Sequence, residues 1–170
     1  AFSLEGTGKT GVIAAAGLLF LVVCLRSFVG MTLSFPWKSD WHWAVILTTA
    51  VVFGKAAGGI ISDKIGILRT SLLSLGGAAL LFLLGNYPLA GVAALFLFNM
   101  TMPLTLWAMA KSFPGAKCFS FGLLTFALFI GFVPSYLNIV PAISSFPIFA
   151  LLSLISLAIL LTGVRGVKQK

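Results

Sequence analysis

The chain has 170 residues, of which 60% are hydrophobic and 8% charged, with a net charge of +8 and a mean hydropathy of +1.16. A soluble domain carries roughly 25% charged residues, so this composition excludes a soluble enzyme or nucleic-acid-binding domain. The eleven Lys and Arg, against three Asp and Glu, lie mostly in short stretches between apolar runs, where basic residues set membrane orientation and give no sign of a nucleic-acid partner.

Residues 1–10 are polar and glycine-rich and read as a lead or linker remnant, ahead of a transmembrane domain over 11–164 and a basic tail over 165–170. The chain begins with Ala1 rather than Met, as a fragment or processed product would. Gly6-Thr7-Gly8-Lys9-Thr10 has the end of a phosphate-binding loop. Ser3 stands where that loop needs its first glycine, and no strand precedes it.

Six apolar runs follow, several of them reaching the ~20 residues that cross a bilayer. They predict helices over about 12–35, 41–61, 70–84, 89–110, 119–137 and 147–162. Pro36 stops the first helix. Trp37, Trp41 and Trp43, with Lys38, Asp40 and His42, form an interfacial turn before the second. His42 is the only histidine and has no cysteine or carboxylate cluster beside it, so no metal site is expected. Gly85-Asn86-Tyr87-Pro88 reverses the chain after the third helix. Pro103 is expected to free the Asn99 carbonyl and kink the fourth, and Pro134 to interrupt the fifth late. Asn138 to Phe146 is an uncharged loop, and Pro147 opens the sixth helix. Cys24 and Cys118 suggest no disulfide framework.

With both termini in the cytoplasm, the inner side holds Lys9, Lys64, Arg69, Lys111, Lys117, Arg165, Lys168 and Lys170, and the outer side Lys38 alone. The positive-inside rule therefore predicts an all-α integral membrane protein with six spans, N-in and C-in. Such a chain divides into two three-helix units of inverted topology.

Arg26 lies about 20 Å along the first helix at 1.5 Å per residue, near the bilayer midplane. Placing an arginine there costs at least about 2.5–3.5 kcal/mol. It persists where it faces water, a partner or a substrate; a structural role bonding carbonyls is the alternative. Ser27, Gly30 and Ser34 share its helix face at helical spacing. Lys55 is either a cavity residue or a snorkelling anchor. Asn99, Thr101 and Thr105 surround Pro103, either lining a cavity or bonding between helices. Phe121, Thr125, Phe129, Phe132 and Tyr136 recur at helical spacing, a stripe that more often packs or faces lipid than lines a cavity. No carboxylate lies within a span, and no metal site, Ser–His pair or aspartate dyad does either. No enzyme and no cofactor are expected.

Between the second and third helices stand Gly59, Asp63, Lys64, Gly66 and Arg69. Gly66 can take a positive φ at a helix C-terminus. Gly58 and Gly59 admit a close neighbour. Asp63 can accept hydrogen bonds, and Lys64 and Arg69 anchor the turn to the inner surface. This spacing resembles the loop signature Gly-x-x-x-Asp-(Lys/Arg)-x-Gly-x-x-(Lys/Arg) of the major facilitator superfamily, which also lies between second and third helices. Leu25 to Gly30 looks like the start of the second half of bacterial drug-efflux members, fosmidomycin-resistance-like proteins among them. The resemblance implies a cavity lined by Arg26, Gly30 and Ser34 from the first helix and Asn99, Thr101 and Thr105 from the fourth. Lys55, Thr125 and Phe129 are further cavity candidates, and Gly59 to Arg69 is a gating latch. It implies half of a secondary transporter in a bacterial inner membrane, moving a small solute, anionic or a drug. Family members have twelve helices, so the other wall would come from a missing N-terminal half or a second copy. A non-transporting scaffold or assembly subunit is the alternative.

Overall fold

The computed structural model describes residues 9–137 and 146–168, all helix and connecting turn with no strand among them. The lead before Lys9, most of the expected uncharged loop (138–145) and Lys170 lie outside the described residues. The helices are α1 (Lys9–Thr32), α2 (Trp41–Ile65), α3 (Ile67–Leu83), α4 (Pro88–Ser112), α5 (Lys117–Tyr136) and α6 (Phe146–Lys168). All but α3 are long and apolar enough to cross a membrane; α3 is apolar but shorter. Large apolar side chains face outward on most helices, among them Val52 and Phe53 of α2, Leu73 and Leu80 of α3, Phe126 of α5 and Leu151 of α6. Apolar cover of this extent suits lipid and not water. The chain is an all-α membrane protein.

Several helix ends differ from the sequence expectation, each for a local reason. α1 stops at Thr32, not Phe35. A residue before proline is pushed out of helical conformation, and Phe35 turns inward to stack on Trp37, 4.7 Å between ring centroids. Ser34 therefore lies beyond the helix, exposed. α3 begins at Ile67, directly after Gly66, so one residue makes the whole break. Gly66 has φ +88°, and its N–H still donates to the Ser62 carbonyl at 3.0 Å. α5 runs through Pro134 to Tyr136. Only the bond to the Ile130 carbonyl is lost there, close to the helix end. α4 is broken at Met100 and Thr101 into segments Pro88–Asn99 and Met102–Ser112, the second carrying Pro103 in its first turn. Within α3, residues Leu72–Gly76 form a π turn.

The packing follows a simple scheme. α1 lies against α5 and α6, and α4 lies against α2 and α3; α1 also touches α4, and α3 touches α6. In lipid, helices associate through close packing and hydrogen bonds instead of the hydrophobic effect, and small residues sit at these contacts. A Cβ on Gly58 of α2 would come within 2.7 Å of the Met100 Cα in α4. A Cβ on Gly131 of α5 would come within 2.7 Å of the Ser27 Cβ in α1. Ser153 of α6 donates to the Leu75 carbonyl of α3 at 3.0 Å. Phe82 of α3 fits between Phe98 of α4 and Phe149 of α6, at 5.8 and 6.3 Å. At the end where α1 meets α2, the Trp37 indole N–H donates to the Gly85 carbonyl at 3.0 Å and ties two turns together.

Candidate functional site

Arg26 is 7% exposed. Its Nε and Nη1 are buried with no hydrogen-bond partner. Its guanidinium carbon stands 5.5 Å from the centroid of the Phe98 ring, close enough for a cation–π attraction. A buried donor without a partner costs about 1–3 kcal/mol, so the arrangement is poor for stability alone. Among the described residues the carboxylates are Asp40, before α2, and Asp63, near its end. Neither is paired with this arginine.

The side chain borders a cavity of about 310 Å³ built from four helices. α1 supplies Val23, Arg26, Ser27, Gly30 and Met31, a spacing that lays them along one helical face. α4 supplies Leu95, Phe98, Asn99 and Met102, straddling the break. Val51 and Lys55 come from α2, and Leu128 from α5. The Ser27 hydroxyl donates to the Leu128 carbonyl at 2.6 Å and fixes α1 to α5 beside the arginine. Asn99 Nδ2 donates to the Leu95 carbonyl one turn back, at 2.8 Å. Two cations thus meet a lining that is otherwise mainly apolar.

Two smaller cavities adjoin this one. One, of about 240 Å³, shares Gly30, Val51 and Leu95 with it and extends to Lys38 at the helix ends. The other, of about 120 Å³, shares Val23, Met102 and Leu128 and extends to Thr105 and Thr125.

The structure gathers part of the expected set. Arg26, Gly30, Lys55 and Asn99 line the main cavity. Thr105 and Thr125 line the smaller neighbour instead. Thr105 is one turn beyond Met102, so it has the right face at a different depth. Thr101 is fully buried and donates to the Phe98 carbonyl at 2.9 Å, capping the break in α4. Ser34 and Phe129 are exposed and line none of the three cavities. Phe98 and Met102 escaped sequence reasoning. Their spacing from Asn99 on a proline-broken helix was the available signal.

In the α2–α3 turn, Gly58 rather than Gly59 makes the close approach; a Cβ on Gly59 would meet only the Pro103 Cβ, at 4.0 Å. Asp63, Lys64 and Arg69 are exposed, and no ion pair joins them. His42 lies against the Trp41 ring at 4.1 Å.

Comparisons of this chain with protein families, with curated proteins and with solved structures found no match.

Proposed function

We propose that the chain forms one six-helix half of a secondary transporter of the major facilitator type, moving a small solute by alternating access. The observation that carries this is Arg26, buried about six residues before the end of α1, without a hydrogen-bond partner for Nε and Nη1, and bordering a cavity. An intramembrane charge without a structural partner is retained for a solute or ion pathway.

Three further features support the reading. First, the largest helix contacts are kept when α1–α3 and α4–α6 are exchanged: α1 on α5 and α6 becomes α4 on α2 and α3, although the contacts of α4 with α5 and α6 have no counterpart. Two inverted triplets would pack this way. Second, the 17 residues of α3 reach about 25 Å at 1.5 Å each, close to the length that a sixth span needs. Third, Lys64, Arg69, Lys111, Lys117 and Arg165 lie at one end of the alternating helices and Lys38 at the other. That bias supports an orientation with both termini in the cytoplasm, which in this reading is that of a bacterium. The second wall is supplied by another six-helix unit, either a further segment or a second copy. The exposed Asp63, Lys64 and Arg69 are then free to latch onto it at one stage of the cycle.

The test is sidedness in membranes containing the full-length protein. Single cysteines replace Gly30, on the Lys38 side of Arg26, and Thr105, on the other. A membrane-impermeant maleimide is applied from each side in turn. A carrier labels Gly30→Cys from one side and Thr105→Cys from the other, in states that a solute interconverts. Labelling fixed to one side in every condition identifies a scaffold and ends the transport reading.

A further inference from the structure

Given the second wall proposed above, we infer that Lys55 docks on a unit that is not a copy of this chain and that carries an aspartate or glutamate at the same depth in the membrane. Lys55 stands about 21 Å along α2 from Trp41 and about 15 Å from Ile65, at 1.5 Å per residue. Its four-carbon stem does not reach either end. The side chain is exposed, on the rim of the four-helix cavity, and no described residue gives it a hydrogen bond or an ion pair. Other polar groups of α2 are satisfied within the helix: the Thr48, Thr49 and Ser62 hydroxyls donate to the Ala44, Val45 and Gly59 carbonyls at 2.8–2.9 Å. The ammonium is left over. A charge at this depth pairs with another group or faces water, and an open face that carries a lone cation fits a partner that carries an anion.

A second copy cannot supply that anion. The chain has three acidic residues, Glu5, Asp40 and Asp63. Glu5 precedes α1 in the sequence, Asp40 precedes α2 and Asp63 lies in its last turn. A copy in the same orientation therefore offers no carboxylate near the depth of Lys55. Turning the copy over exchanges the two ends of α2 and leaves the middle as empty of acids as before. A symmetric pair also sets the same patch against itself, so Lys55 and Arg26, which border one cavity, would face two more cations across it. Like charges opposed in this way disfavour the pairing. The second wall is a different membrane segment with an acid at mid-depth.

The test treats the full-length protein, in its native membrane, with dicyclohexylcarbodiimide. This reagent enters the bilayer and activates a carboxyl group; an amine in contact then forms an amide and releases dicyclohexylurea. Mass spectrometry of the digested protein is expected to find the Lys55 peptide joined to an Asp or Glu outside residues 1–170. In parallel, Lys55→Met should lower the melting temperature by at least about 5 °C, because it leaves the partner's carboxylate buried and unpaired. Lys55→Arg keeps the charge and the melting temperature and gives no link, since a guanidinium does not form the amide. A link to Glu5, Asp40 or Asp63 of another copy overturns the inference and makes the second wall a copy, with the carrier reading intact. No link at all overturns it by naming a neutral partner or water. Lys55→Met that melts no lower than the wild type overturns it as well, with or without a link. Sidedness of labelling at Gly30 and Thr105 decides the carrier reading separately, since a scaffold assembled through the same pair would give the same amide.

Discussion

Replacing Arg26 with Met tests whether the arginine serves the fold. The substitution keeps an unbranched side chain of similar reach and removes the charge. Two buried donors, Nε and Nη1, have no partner; each costs about 1–3 kcal/mol. The face of Phe98, 5.5 Å away, returns about 1–2 kcal/mol, and Met recovers part of that through sulfur–aromatic contact. The balance favours Met by roughly 1–4 kcal/mol. For a chain of this length 1 kcal/mol moves a melting temperature by about 2–4 °C, so Arg26→Met should melt roughly 2–16 °C higher. The assay is thermal unfolding in one detergent, followed by near-ultraviolet circular dichroism of the tryptophans. An arginine that braces backbone carbonyls would give the opposite sign. A fall of several degrees would sink the argument that its partner is a solute.

Gly58→Ala forces a Cβ onto the Met100 backbone, where neither chain can yield, and should cost about 1–3 kcal/mol; Gly59→Ala should be close to neutral in the same melt. Trp37→Phe removes the bond to the Gly85 carbonyl but keeps the stacking on Phe35, and a loss of about 0.5–1.5 kcal/mol is expected. Ser27→Ala frees the Leu128 carbonyl and should lower stability by only about 0.6 kcal/mol, the average for such bonds in a membrane. Gly66→Ala must hold φ at +88° and should destabilise the protein by about 1 kcal/mol, readable as faster proteolysis of the α2–α3 turn.

Much of this was legible from single residues. A charge in an apolar run marked Arg26, and Gly66 with its flanking cations marked the tightest turn. Phase was harder. Gly58 and Gly59 are equivalent in composition, and only the crossing of α2 over α4 selects the first. Ser34 looked like a continuation of the Arg26 face, but Pro36 ends the helix early through Phe35. Thr105 shares its face with Met102, yet depth along α4 assigns it to a separate cavity. Phe129 sits in a helical stripe that the packing of α5 turns outward. The π turn at Leu72–Gly76 had no signal at all. It arises where Ser153 of α6 takes the Leu75 carbonyl, a tertiary contact that local sequence does not contain.

The shortness of α3 has a consequence for the surrounding lipid. With α3 as a span, about 25 Å of helix must match a hydrocarbon layer about 30 Å thick, at a cost of fractions of a kcal/mol per ångström. The bilayer would pinch along that flank, and lipids with shorter acyl chains would gather there. Melting temperature in reconstituted bilayers should then peak at a chain length below that of the average plasma membrane, and thickening the membrane would weaken the flank formed by α3 and α6 first.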